Sequence, residues 1–215
     1  MEFFKNADGK SVLLNMVKAI RENKDYLGQV DGLIGDGDHG VNMNKGFSLF
    51  QKRYQNADFS FTEGLFNLGE ILLNEIGGSM GPIYGTIFMT MAEQGRDSEN
   101  IGVSELSKMF SEARNELFYI VEARPGDKTL VDSFSPAVDA MMKAKEENVE
   151  LAEALTSVCN ASTEGKASTQ NLIARYGRAA CLGERSKGVW DAGAVSCDRL
   201  LNAMADGIRE LLQEK

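Results

Sequence analysis

The sequence predicts an all-α protein, on three observations. Only Pro82, Pro125 and Pro136 interrupt the 215 residues. Between glycine clusters, apolar residues recur at the three- and four-residue spacing of one helix face, not at the alternating spacing of a half-buried strand. The chain is 43% hydrophobic and 26% charged, an ordinary globular balance. With no repeat, low-complexity tract or long linker, this predicts one domain over residues 1–215.

The elements follow in order. In "SVLLNMVKAIRENKDYL", Leu13, Met16, Val17 and Ile20 share a face, predicting a first helix through Leu27. Leu65, Leu68, Leu72 and Ile76 repeat the pattern, and a further helix is expected from about Pro82. Leu106, Met109, Phe110, Ala113, Leu117 and Ile120 form another such face. Ser135 before Pro136 reads as an N-cap ahead of a first-turn proline, opening a helix through "AVDAMMKAKEE". One helix is expected from near Glu150, one through "ASTQNLIARYGRAA", and a last one capped by Ser196. That makes about seven or eight helices. The glycine clusters at 32–40, 77–85 and 183–193, and the one around Gly126, become the loops, where sites tend to lie.

The 23 basic against 32 acidic side chains leave a formal charge of -9. This argues against a nucleic-acid or anionic-membrane partner, since either needs a basic patch. A bound phosphate would need a metal to supply positive charge. Cys159, Cys181 and Cys197 form no C-x-x-C pair and His39 is the sole histidine, so no zinc set exists; the thiols read as reduced. "MEFFKNADGK" has no apolar signal core and no uncharged run is long enough for a membrane helix, so a cytoplasmic protein is expected.

The stretch "VDGLIGDGDHGVNMNKGF" gathers Asp31, Asp36 and Asp38 among four glycines. Carboxylates this close repel one another unless they stay in water or share a cation. Hard oxygen ligands suit magnesium or calcium. Counted from Asp36, position 5 is Gly40 and position 12 is Phe47, so the loop is no EF-hand. The residues fit a magnesium-phosphate site and equally a solvated acidic turn; the glycines tilt the reading toward phosphate, whose contacts need backbone amides at close approach. "EIGGSMGPIYGT" fits a phosphate at a helix start or a close packing point. "NASTEGKAS" lacks both ends of a Walker A motif, and Lys166 reads as a solvated lysine. Arg178 could neutralise phosphate, stack on a base or pair with an acid such as Glu184, and Trp190 reads as a core or interface residue. "ARPGDKTLVDSF" also reads as a capped turn.

Taken together, "GDGDHGVNMNKGF", "GGSMGPIYGT", "PGDKTLVDSFSPA" and "YGRAACLGERSKGVWDAGA" resemble the ADP-binding L subunits of bacterial dihydroxyacetone kinases, over nearly the whole chain. The resemblance implies a barrel of about eight antiparallel helices with a nucleotide site in loops at one end. It implies two magnesium ions held by Asp31, Asp36 and Asp38. His39, Gly40, Val41, Asn42, Ser79, Met80, Leu130, Arg178, Asp191, Ala192 and Gly193 become the nucleotide contacts. The implied activity is phosphoryl transfer: bound ADP is rephosphorylated by a phosphohistidine carrier of the sugar phosphotransferase system, and the phosphate passes to dihydroxyacetone on a separate substrate subunit. No residue of this chain is implied as a general base. Two other readings are an ATP-using subunit of a tetrulose kinase and a non-catalytic nucleotide sensor that binds a transcriptional regulator. Met80 stands where the family more often has serine, Val121 where glycine is usual, and "GVWDAGA" replaces "GHVDPGA".

Overall fold

The computed structural model describes residues 2–213. Its helices are α1 (Lys10–Glu22), α2 (Lys24–Gly32), α3 (His39–Tyr54), α4 (Phe61–Glu75), α5 (Met80–Gly95), α6 (Val103–Ile120), α7 (Val131–Glu146), α8 (Leu151–Ser168) and α9 (Ala192–Gln213). Short 3-10 segments cover Asn6–Asp8, Thr169–Asn171 and Arg178–Ser186. Two three-residue strands, β1 (Phe3–Lys5) and β2 (Asn100–Gly102), pair antiparallel with Phe3 opposite Gly102. No helix among the described residues is long and apolar enough to cross a membrane.

From α3 onward each helix packs on the next, α1 packs on α3, and α9 returns to α1, so eight helices close a ring with α2 set against α3 and α9. The predicted faces turn inward, with Leu13, Met16, Val17 and Ile20 on α1, Leu65, Leu68 and Leu72 on α4, and Leu106, Phe110 and Leu117 on α6 all buried; Ile120, expected on the α6 face, lies in its last turn and is exposed. Edge-on aromatic pairs stitch the barrel, among them Phe4 with Phe61 at 5.3 Å and Phe47 with Phe88 at 6.4 Å between ring centres. Ser60 and Glu63 start α4 with a reciprocal capping box.

Four local expectations are corrected. The first predicted helix breaks at Asn23, whose side-chain amide donates to the Ala19 carbonyl. α7 begins at Val131, not behind Ser135, because the Asp132 carboxylate takes the Gly126 and Thr129 amides and so organises the first turn; the Ser135 hydroxyl is buried without a partner. α9 begins at Ala192, where Asp191 accepts from the Ala194 amide, and Ser196 lies inside the helix. The predicted helix through residues 167–180 does not form. Its Ala174 amide donates to the Ser186 hydroxyl and its Arg175 amide to the Asp127 carbonyl, so the backbone is satisfied outside a helix.

Pro136 inside α7 has no amide for the Asp132 carbonyl, the acceptor four residues back. Helix α8 uses the gap: a Cβ placed on Gly165 would lie 2.0 Å from that oxygen. The two helices therefore touch backbone to backbone there, a contact suited to a weak Cα–H···O bond. Gly165→Ala is expected to destabilise the protein by about 1–3 kcal/mol through overpacking, read as a lower denaturant midpoint with unchanged slope. A wild-type midpoint would mean that α7 and α8 separate without penalty.

Candidate functional site

Every odd-numbered helix from α3 onward begins at the same end of the barrel. Their first residues, His39 of α3, Met80 of α5, Val131 of α7 and Ala192 of α9, all line one cleft of about 510 Å3. Helix starts carry unpaired amides and the positive end of the backbone dipole, so four of them face whatever the cleft holds. That favours an anion, and the volume suits a small-molecule ligand.

The acidic loop forms one wall. Asp31 sits in the last turn of α2, Asp36 on the loop and Asp38 at the N-cap of α3, and one carboxylate oxygen from each lies within 4.8 Å of the others. Asp38 makes no side-chain cap to α3, which leaves its oxygens available. Asp31 accepts from the His39 amide at 3.2 Å. Arg178 reaches from the last 3-10 segment to Asp36, Nη2 to Oδ2 2.8 Å. Desolvation pushes the Asp36 carboxyl up, but the Asp38 amide and Arg178 outweigh it and hold Asp36 below the usual value. Asp38 is pushed up, first by desolvation and then by the Asp36 charge. Three hard oxygen donors, partly exposed and in mutual repulsion, fit a divalent cation that keeps several waters, which is how magnesium binds.

Behind the loop, a hydrogen-bond relay fixes the sole histidine. His39 Nε2 is 2.8 Å from Ser196 Oγ, which is 2.7 Å from the Tyr84 hydroxyl and 3.0 Å from the Gly193 carbonyl oxygen. The carbonyl can only accept. Ser196 and, at 3.4 Å, Tyr84 can each donate to it, and the relay holds the three side chains together. Burial lowers the imidazole pKa against the opposing pull of Asp31, keeping the ring neutral, and burial holds Tyr84 protonated.

Met80, Ile83, Leu117, Val121 and Leu130 give the cleft an apolar end. Of the residues singled out from sequence, Asp31, Asp36, Asp38, His39, Asn42, Ser79, Met80, Leu130, Arg178, Asp191, Ala192 and Gly193 line this one cleft. Gly40 and Val41 do not. Gly40 is buried where α3 crosses α2, with room for no Cβ beside the Lys24 carbonyl, and Val41 is exposed. Tyr84, which the sequence did not single out, and Lys128, noticed only as part of the ambiguous "ARPGDKTLVDSF" stretch, also line the cleft. The "PGDKT" turn offered a weak signal for Lys128; nothing in sequence marked Tyr84. Lys166 is not solvated: it pairs with the buried Asp198 at 2.8 Å and lies over the Trp190 ring at 5.4 Å.

Comparison with known proteins follows this geometry. A DAK2 domain model matches residues 33–206. The chain is 36% identical over 187 residues to the ADP-binding subunit DhaL of the PEP-dependent dihydroxyacetone kinase of Escherichia coli K12, covering 86% of this chain and 89% of the relative. It is 33% identical over 202 residues to the ADP-binding subunit DhaL of a PEP-dependent dihydroxyacetone kinase 2 of Listeria innocua, covering 93% of each. The crystal structure of the dihydroxyacetone kinase of C. freundii with AMP-PNP and Mg2+ shares the fold, with TM-score 0.69 and 21% identity; the match covers 95% of this chain and 35% of that one.

Asp191 caps α9 beneath this cleft, and burial pushes its carboxyl from 3.8 up to about 7, partly offset by the Ala194 amide and Lys128. Between those pH values the folded protein holds a proton that the unfolded chain has released, so this group makes stability fall as pH rises. Asp191→Asn keeps a capping side chain but cannot ionise. Relative to wild type, the variant is expected to be more stable at pH 7 than at pH 5, its unfolding free energy rising against that of wild type across this range. An equal difference at both pH values in urea titrations would refute the assignment.

Proposed function

The chain belongs to the DAK2 domain family, and from that premise we propose that it is the nucleotide-binding, phosphoryl-transfer subunit of a dihydroxyacetone kinase, acting as one domain over residues 1–215. The observation that carries this is the convergence of three carboxylates and four helix starts on one cleft. A triphosphate or diphosphate needs cationic neutralisation, and a chain of net charge -9 supplies it through helix termini, Arg178 and bound metal in place of a basic surface.

In this reading Asp31, Asp36 and Asp38 hold two magnesium ions. Bound there, magnesium would neutralise charge on the nucleotide phosphates. The starts of α5 and α9 receive phosphate oxygens through the backbone amides of Ser79, Ala192 and Gly193, while Asp191, whose own amide is taken by the Thr169 hydroxyl, lines the wall beside them. Arg178 adds a mobile positive charge at the mouth, and the apolar end from Met80 to Leu130 takes the base. Asn42 and His39 line the wall between; Gly40 acts by letting α3 approach α2, and Val41 stands at the rim. The chemistry is in-line transfer, in which the protein positions groups and balances charge. In this reading the transfer needs no general base from this chain.

Relatives bear the names PEP-dependent or, in Lactococcus lactis, PTS-dependent dihydroxyacetone kinase, which supports a phosphohistidine carrier as donor to bound ADP. Dihydroxyacetone is then phosphorylated on a separate subunit, in the cytoplasm. Erythrulose kinases are more distant at 28% identity, and the chain spans about a third of their length, 32% of the one from Pectobacterium atrosepticum. A tetrulose substrate or a purely sensory role, with a transcriptional regulator as partner, is therefore not favoured.

Two tests follow. Mg-ADP at a hundredfold above its dissociation constant is expected to stabilise the protein by about 2.7 kcal/mol. Asp36→Asn or excess EDTA should remove that gain while the helical spectrum is kept; stabilisation that persists in EDTA would overturn the metal-dependent site. In reconstitution with Mg-ADP, a phosphocarrier system and dihydroxyacetone, dihydroxyacetone phosphate should form only when the substrate subunit is added. Turnover by this chain without that subunit would refute the division of labour.

A further inference from the structure

Lys128 is the least expected group in the molecule. Its side chain is 1% exposed, although an ammonium is costly to bury unless it is well matched. Its backbone adopts φ +61, one of two non-glycine residues in the left-handed region among those described. Strain of that kind persists where the surroundings over-determine it, and it marks places where a chain direction matters.

The surroundings here do so. The Asp132 carboxylate accepts from the Gly126 and Thr129 amides at 2.5 and 2.7 Å, and the Asp127 carboxylate accepts from the Arg124 amide at 2.8 Å. The turn is thereby fixed from both sides, and the left-handed residue sends its side chain inward beneath the cleft floor. Its ammonium donates to the Thr169 carbonyl at 2.5 Å and the Val189 carbonyl at 2.6 Å. Thr169 is the C-cap of α8, where carbonyls lack partners and the helix dipole is negative, a natural seat for a cation. Val189 begins the segment that carries Trp190 and Asp191 into α9.

That segment has other ties to the same corner. The Gly188 amide donates to the Gln170 carbonyl, the Asp191 amide to the Thr169 hydroxyl, and Lys166 sits over the Trp190 ring. Lys128 is the one tie that also belongs to the opposite wall, since Thr129 and Leu130 directly follow it and line the cleft. The two walls meet where a Cβ on Gly193 would lie 3.3 Å from the Leu130 amide nitrogen.

We propose that Lys128 is a positioning residue for nucleotide binding: its buried ammonium clamps the Val189–Asp191 segment and the end of α8 to the turn before α7, and so sets the spacing between Leu130 and the Asp191–Gly193 helix start across the cleft. The inference rests on the reading of the cleft as the nucleotide site. Lys128 acts from the protein side, with two of its three donors ending on the Thr169 and Val189 carbonyls.

The sole tryptophan, Trp190, lies in the clamped segment and reports on it without any nucleotide. Lys128→Met keeps the bulk and removes the donors; Lys128→Gly removes the ammonium and relieves the left-handed strain. For either variant with a wild-type helical spectrum, two changes are expected. Trp190 emission should shift and become more accessible to acrylamide in the ligand-free protein, and the calorimetric dissociation constant for Mg-ADP should rise at least tenfold. A folded variant with wild-type affinity, or weakened binding with unchanged Trp190 quenching, would overturn the clamp. So would loss of the fold in both variants, which would make Lys128 a requirement of folding and not of positioning. If the wild-type protein itself binds no Mg-ADP, the nucleotide reading fails and the proposal with it, whereas altered Trp190 quenching would still identify the strap.

Discussion

The constraint on which the rest depends is the direction of the helices. In a closed ring of alternating helices, every second one must start at the same end, so α3, α5, α7 and α9 turn the positive ends of their dipoles to one cleft. No single one of these termini is a strong anion site, and each effect fades within a turn. Brought to one cleft, they offset part of the negative charge that Asp31, Asp36 and Asp38 place there. On the proposed reading the acidic loop at the head of α3 gains a purpose that repulsion alone would deny it, since a metal held there would add to the same positive ends.

The fold was legible because its information is local. Apolar residues on α1, α4 and α6 recur at helical spacing, and those faces are the ones buried. What local pattern could not supply was the source of each helix start. Ser135 and Ser196 have the chemistry of caps, yet Asp132 and Asp191 lie nearer the true starts and take the amides. The choice between a serine and an aspartate a few residues earlier depends on where the loop arrives from, which is tertiary information. The three-residue strands β1 and β2 are too short to show a period, and they exist because residues almost a hundred positions apart meet.

The site was legible in its outline for a different reason. Aspartates and glycines crowd together on loops only under unusual demands, so Asp31, Asp36 and Asp38 stood out. Basic residues gave no such signal. Lys166 and Lys128 look like any surface lysine in sequence, yet one pairs with Asp198, which is 2% exposed, and the other ends on two carbonyls. A buried cation is recognised by its acceptors, and these lie 32 and 61 positions away along the chain. Tyr84 was invisible likewise, since its hydroxyl acquires meaning only beside Ser196 and His39.

The pairing of β1 with β2 also decides where the polypeptide enters. β2 lies between the end of α5 and the start of α6, at the barrel end away from the cleft, and Glu2 is held there by the Glu150 carboxylate and the Ala152 amide at the start of α8. Helix α9 starts at the cleft and runs 22 residues, roughly 33 Å at the usual rise, so its last described residue also lies at that far end. A tag or fused protein at either terminus would hang from the base of the barrel like a tether and leave the mouth clear. Conversely, a catalytic partner joined in the same polypeptide would need a connection long enough to travel the full height of the barrel before it could meet the cleft.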